Sequence, residues 1–598
     1  MLVSKKKKYK SNQQGSGTPT HKKSVVQIEP RKILYALGGI LLLTLIVYWK
    51  SLGNGFVNLD DDRYIENNQL IRAIDVKLFF TTQQLMGNYH PLVLWVYSII
   101  YHYAQLNPEA YHAVNLIIHL INTALLFFVV LELFSVFEIA VLVSLLFGIH
   151  PMHVESVAWV SELKDLMYTG FFLSSLYFYI RYLKNDFRAN YFLLSVLFFL
   201  LSVLSKGMGV SLTVVLVLID FYFGRKFTSK VIVEKIPFFI LSVIFGIVAV
   251  KAQQALGAVQ DIALFSFPQR IVFACYGFVT YIGKLILPLN LSAYYPYPAK
   301  TNDTIPAFYY LYPFAALAII ALVIHSLRKT KKIFFAVGFY TITVGLVLQL
   351  LPVGGAIIAD RYSYIPSIGI FLLLGFGFHE LIRNTSYRTF TIPVAAIIIL
   401  IYSYLTFQQT KIWNNGMTLW SNVINNGNEV SLAYNNRGVL YKKLAESGYK
   451  QNPQQAETDL QKAMTDYQHS LTLDPNNADT WSNIGLIYWE QANHNANLKA
   501  ELFPKALTNM NKALEINPQF ATAYSNRGSI YSTMNNQEAA LKDYAKATEL
   551  DPNFADAWYN LGIVNYNLGR KDNACTALRR AAALGHPVAP NAVHDLCK

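Results

Sequence analysis

Apolar residues run almost unbroken from Ile33 to Trp49, and similar stretches recur as far as position 408. Runs of this length and continuity are candidates for crossing a bilayer, because about 20 apolar residues of helix match its hydrocarbon core. They fall at 33–49, 113–134, 137–149, 166–183, 190–205, 208–223, 236–252, 307–327, 332–352, 364–383 and 389–408. A further apolar stretch, 271–287, leads into Leu287-Pro288-Leu289-Asn290 and is read as a re-entrant or interfacial helix, with a twelfth crossing as the alternative. Beyond Trp413 the pattern changes, and Asn, Gln, Ala, Asp and Lys take over.

The polar part repeats itself. Ala433-Tyr434-Asn435-Asn436-Arg437-Gly438, Thr480-Trp481-Ser482-Asn483-Ile484-Gly485, Ala523-Tyr524-Ser525-Asn526-Arg527-Gly528 and Ala557-Trp558-Tyr559-Asn560-Leu561-Gly562 are versions of one block. Tyr524 to Trp558 is 34 residues, the tetratricopeptide period, and the earlier spacings of 47 and 43 are that period with insertions. Asp474-Pro475, Asn517-Pro518 and Asp551-Pro552 stand where each second helix must stop. A helical solenoid of this kind binds peptides or protein partners.

With 53% hydrophobic residues in 598, and a mean hydropathy of +0.29, the chain is too apolar to be wholly soluble. Its net charge of +14 sits largely in Lys5 to Lys8 and in short loops between apolar runs, where it sets topology rather than binding nucleic acid. Placing Arg181/Lys184/Arg188, Arg225/Lys226/Lys230/Lys235, Arg328/Lys329/Lys331/Lys332 and Arg383/Arg388 on the cytoplasmic side requires about 11 crossings and puts the C-terminus outside. The first 32 residues read as a disordered basic cytoplasmic tail before a signal anchor, since Trp49-Lys50-Ser51 lacks a cleavage pattern. Cys575 and Cys597 could pair if their end is extracytoplasmic, whereas Cys275 lies in an apolar segment. No zinc spacing is present.

On this map the polar clusters with chemical potential converge on one face. Asp60-Asp61-Asp62 follows the first apolar run, where three carboxylates repel one another; they form a solvated loop or supply a general base. His90 precedes Pro91, and His150, His153 and Glu155 follow the 137–149 run. Glu162, Lys164 and Asp165 open the next helix, where they could be simple caps. Asp360-Arg361-Tyr362 opens the 364–383 run, and a guanidinium there suits a lipid phosphate.

Taken in order, FVN-x-DD-x-x-Y-I-x-x-N, YHPL, YHAVNLIIHLINT, HPMHVESVAWVSELKD, LSKGMGV, LIDF and ADRYSYIPSIG, followed by the repeats, resemble the bacterial branch of the transmembrane-and-tetratricopeptide-repeat proteins. That family is similar to the O-mannosyltransferases of the eukaryotic secretory pathway. The resemblance runs from about Gly53 onward. It implies an all-α, GT-C-like membrane domain over 33–410, a linker over 411–432, and an extracytoplasmic solenoid over 433–598 with a capping helix. It also implies a glycosyltransferase in a bacterial inner membrane, with its site and solenoid on the periplasmic side, using a polyprenyl-phosphate-linked sugar. The family's carboxylate pair would be Asp60 and Asp61, and its His-Pro motif His90-Pro91.

The residue chemistry agrees with that implication. Asp60 or Asp61 would take the acceptor proton, while Arg361, with Lys206 and Tyr362, would hold the departing phosphate. His90, His150, His153, Glu155, Glu162, Lys164 and Asp165 would support the site. A single displacement inverts the anomeric centre. A divalent metal is the one cofactor left open, with Asp60, His153 and Glu155 as its candidate ligands. Expected partners are the lipid bilayer, the lipid-linked donor, and a protein or peptide acceptor held by the repeats. A non-catalytic membrane-anchored scaffold for envelope assembly or secretion is the alternative, and a lipid-linked sugar transporter a third reading.

Overall fold

The computed structural model describes residues 28–82, 87–255, 265–300, 303–350 and 354–597, so the expected basic tail, Lys5 to Lys8 included, lies almost wholly outside the described residues. The first half of the bundle is α1 (Pro30–Tyr48), α2 (Val76–Thr81), α3 (Pro91–Ala104), α4 (Pro108–Phe134), α5 (Phe137–Ile149), α6 (Val154–Ala158), α7 (Leu163–Lys184), α8 (Ala189–Ser205) and α9 (Leu212–Tyr222). The second half is α10 (Ser229–Ala255), α11 (Phe267–Ile286), α12 (Tyr312–Ser326), α13 (Lys331–Val344), α14 (Ser367–Arg383) and α15 (Thr385–Ile412). Two short strands, β1 (Tyr295–Pro296) and β2 (Ala356–Ile358), pair antiparallel with Tyr295 opposite Ile358.

Among the described residues five helical segments are long and apolar enough to span a membrane: Pro30–Gly53, Pro108–Phe134, Ser229–Gln254, Ala307–Ser326 and Thr385–Ile412. The bent pair Phe137–Ile149 and Pro151–Ala158 makes a sixth if counted as one span. The eleven expected crossings are not reached on this measure. Length is one reason: α8, α9, α13 and α14 have 17, 11, 14 and 17 residues. Composition is the other, since α7 carries Lys164, Asp165, Arg181 and Lys184. The lipid-facing character of the long helices is plain on α12 and α15, where Phe314 is 72% and Leu400 69% exposed.

α4 is the spine of the bundle. Asn107 caps it by accepting the Glu109 N–H, and Pro108 occupies its first turn. One side buries Leu126, Phe127 and Val130 against α5 and α7, while His112, Asn115, His119 and Asn122 form a buried polar stripe at helical spacing. All four hold backbone carbonyls of the segments packed beside them: His112 donates to Gly55 O, Asn115 to Val157 O and Trp159 O, His119 to Gly148 O, and Asn122 to Leu166 O. The stripe therefore sets the course of the 148–160 turn. α13 and α14 close the far side, and they meet only because Gly369 has no side chain: a Cβ there would sit 2.5 Å from Ala336 O.

The segment expected to be a linker is a buried helix, α16 (Gly416–Asn425), and Trp413, Leu419, Trp420 and Val423 join the membrane-domain core. The repeats follow as α17 (Ser431–Gly448) with α18 (Pro453–Leu473), α19 (Ala478–His494) with α20 (Lys499–Ile516), α21 (Ala521–Thr533) with α22 (Gln537–Leu550), and α23 (Ala555–Asn567) with α24 (Lys571–Ala583). Arg437–Asp466 and Arg527–Asp543 brace the first and third pairs with matching forked hydrogen bonds. A capping helix, α25 (Ala589–Leu596), is stapled back by a Cys575–Cys597 disulfide.

Candidate functional site

Four loops meet at one end of the bundle. The first, residues 54–66, carries the three carboxylates, and the fold separates their jobs. Asp61 is 1% exposed; its Oδ2 accepts the Val57 N–H at 3.0 Å. Its Oδ1 accepts both the N–H and the hydroxyl of Ser161. Asp61 thus pins this loop to the turn before α7. Burial raises its carboxyl to about 7, even against those three donors. Asp60 is half-buried, and among the described residues its carboxylate makes no hydrogen bond or ion pair. Burial and Glu162 raise Asp60, while Lys164, Arg361 and Arg63 pull it down, and the raising effects win.

Beside Asp60 lies a buried ionic network. Glu155 contacts the Arg361 guanidinium and also accepts the Arg361 backbone N–H at 2.8 Å. Glu162 Oε1 lies 3.5 Å from Arg361 Nε and 3.0 Å from Lys164 Nζ, while its Oε2 lies 3.6 Å from Lys206 Nζ. Lys206 also contacts Asp165 directly. Three acids and three bases therefore stand together, each with an opposite charge in reach, as burial demands. Burial alone would raise Glu162, but Lys164, Lys206 and Arg361 together hold it well below the usual range. The cations also lie over aromatic faces, Arg361 over Trp159 and Tyr362, and Lys164 over Tyr64.

His90 caps the start of α3 at 2% exposure, and neither ring nitrogen has a partner among the described residues. Burial, aided by Lys164 and Lys206, lowers it to about 3, so the imidazole is neutral. Trp159 Nε1 is likewise buried and unpartnered among the described residues. Unspent polar groups of this kind beside a charged network fit a site that receives a polar ligand. The fourth wall is Asp360, which accepts from Tyr295 OH at 2.9 Å at the start of the 360–363 turn.

The structure thus gathers Asp60, Asp61, His90, Glu155, Glu162, Lys164, Asp165, Lys206, Arg361 and Tyr362, but not the two remaining histidines. His150 accepts from Met152 N–H and donates to Leu285 O, and His153 donates to Phe147 O and lies against Ser367 Oγ. Both rings pack among Phe371, Phe147, Tyr364 and Tyr402 and hold the helix bend. His153 and Glu155 therefore do not share a ligand with Asp60. Among the described residues no three His, Cys, Asp or Glu side chains gather as a metal ion needs. Reading the sequence missed Ser161, Trp159 and Asn115. Only Asn115 carried a signal, its place in the polar stripe of an apolar helix.

Tetratricopeptide-repeat family models match residues 459–491, 530–569 and 555–584. Protein O-mannosyl-transferase TMTC3 of Homo sapiens is 23% identical over 516 residues, covering 77% of this chain and 54% of that protein. Protein O-mannosyl-transferase F38B6.6 of Caenorhabditis elegans is 25% identical over 405 residues, covering 64% and 56%. The chain spans about half the length of the curated relatives it matches. Among solved structures, a MamA protein is 23% identical over 26% of this chain and 78% of that one, with a TM-score of 0.20. The chain is accordingly an apolar-helix protein with tetratricopeptide repeats that is similar, through both parts, to proteins named protein O-mannosyl-transferases.

Proposed function

We propose that the protein is an integral-membrane glycosyltransferase that moves a sugar from a polyprenyl-phosphate carrier to a hydroxyl of a protein acceptor. The observation that carries this reading is the Asp60 carboxylate, without a partner among the described residues, beside the Arg361–Glu162–Lys206 network. Asp60 takes the acceptor hydroxyl's proton as its oxygen attacks the anomeric carbon. The bond from that carbon to the phosphate oxygen breaks, and its electron pair leaves with the phosphate. One displacement inverts the centre. Arg361 and Lys206 stabilise the departing phosphate.

Asp61 acts by holding the loop, and Tyr362 supports the guanidinium with its ring face. The carrier's isoprenoid tail runs along the apolar faces of the long helices. Crossings beyond the five apolar spans come from α5, α7, α8, α9, α13 and α14 in a locally thinned bilayer. The site faces the extracytoplasmic side, because Arg181 and Lys184 lie at the far end of α7 and the Cys575–Cys597 pair needs an oxidising compartment. The printed names of the relatives favour mannose as the sugar, and the repeats favour a peptide or protein acceptor.

Purified full-length protein incubated with a radiolabelled polyprenyl-phosphate sugar and acceptor peptides should transfer label. Asp60→Asn should abolish transfer without changing thermal stability, since the carboxylate has no partner among the described residues to lose. Full activity in Asp60→Asn removes the base assignment. An inert wild-type chain leaves the non-catalytic scaffold.

A further inference from the structure

The segment between the last long membrane helix and the first repeat touches the Asp60 loop, the 291–292 turn and Trp159. On one side the Asn54 amide donates to Thr410 O at 3.1 Å, and Gly55 N–H donates to Asn414 O at 2.8 Å. The Trp420 indole N–H donates to Asn58 Oδ1 at 2.9 Å, and Asn58 Nδ2 donates onward to Asn436 O, in α17, at 3.0 Å. These bonds hold the loop that carries Asp60. The approach is close enough that a Cβ on Gly416 would lie 2.2 Å from Asn58 Oδ1.

On the other side, Asn426 Nδ2 donates to Leu291 O at 2.9 Å, and Asn428 Nδ2 donates to Ser292 Oγ at 3.1 Å. Ser292 N–H donates to Tyr295 OH, which in turn donates to Asp360, the residue before Arg361. Between the two grips, Trp413 stacks on Trp159 with ring centroids 5.4 Å apart, and Trp159 is the aromatic face under Arg361.

We propose that α16 is a strut: Trp420, Asn58 and Asn426 are positioning residues that set the separation between the Asp60 loop and the Asp360–Arg361 loop. This rests on the transferase reading of the site. The consequence is that the first repeat is part of the catalytic scaffold, since Asn436 closes the chain of hydrogen bonds to Asn58. A long flexible tether would make none of these contacts. The strut also accounts for two fully buried tryptophans in a segment whose composition reads as a connector.

The test uses full-length protein in detergent, followed by hydrogen–deuterium exchange and by transfer kinetics. Trp420→Phe keeps an aromatic ring and removes one hydrogen bond; Asn58→Ala removes two. Exchange over 55–66 should rise about fivefold in the first and further in the second, while 356–363 stays protected. Turnover should fall about tenfold with KM for the lipid donor unchanged, because the base is misplaced and the phosphate grip is not. Asn426→Ala, at the other end, should raise exchange only over 288–297. Unchanged exchange over 55–66 in both Trp420→Phe and Asn58→Ala overturns the strut, as does loosening of all loops alike. If wild-type protein transfers no sugar, the transferase reading is lost while the exchange arm still decides the strut.

Discussion

Replacing Asp61 by Asn should change how the site loop's stability depends on pH, and the direction follows from burial. The carboxyl is held at about 7, above the roughly 3.8 of an aspartate in an unfolded chain. A raised value means the folded loop keeps a proton that the unfolded loop gives up. The stability this contributes is complete below about pH 4 and is lost as pH rises through about 7. The gap corresponds to roughly 4 kcal/mol. A carboxamide at this position does not titrate, so the variant lacks this loss. It has a cost of its own, because its NH2 must face one of the N–H donors now satisfied by Asp61, at about 1–3 kcal/mol. The variant should therefore open more readily than wild type at about pH 4 and less readily at about pH 8.5, the order reversing between about pH 4.5 and 6. Exchange of the peptides covering 57–61 and 160–162, corrected for intrinsic rate at each pH, reads this directly. Parallel pH dependences in the two proteins would refute the reasoning, for they would mean the Asp61 pocket is not desolvated.

Two more outcomes follow from the charges and the staple. Lys164 lowers the Asp60 carboxyl, so Lys164→Met should move the acid limb of kcat/KM to higher pH, and a limb that stays in place or moves down contradicts Asp60 as the base. Peptide mapping under non-reducing conditions should recover Cys575 joined to Cys597, with Cys275 free. Replacing both partners by Ser should destabilise the capping helix by about 2–4 kcal/mol, seen as early proteolysis after α24, and unchanged proteolysis would show that the staple is dispensable.

The sequence alone was enough for the architecture in its coarse form. Continuous apolar runs can be satisfied only as buried or lipid-facing helix, so α1, α4, α10, α12 and α15 were legible from hydropathy. The 34-residue period required stacked helix pairs, because Gly528 must admit the ring of Tyr544 in the partner helix. The charged groups that cluster beside Asp60 stood out too, at the ends of apolar runs, though a solvated loop or a helix cap was an alternative reading for several of them.

What tertiary structure decided was the set of partners each of those residues meets, because those partners lie far away in sequence. Nothing local tells Asp60 from Asp61; Asp61 is spoken for only because Ser161, a hundred positions later, folds against it. His150 and His153 look like ligands in the string of residues, yet they are consumed by carbonyl and hydroxyl groups of helices packed beside them. The stretch 411–432 has the polarity of a connector, and only the walls of Trp159 and Asn58 bury its tryptophans and make it structural. Periodicity reports which face of an element is apolar, and it carries no information about which distant polar group will satisfy a buried donor or acceptor.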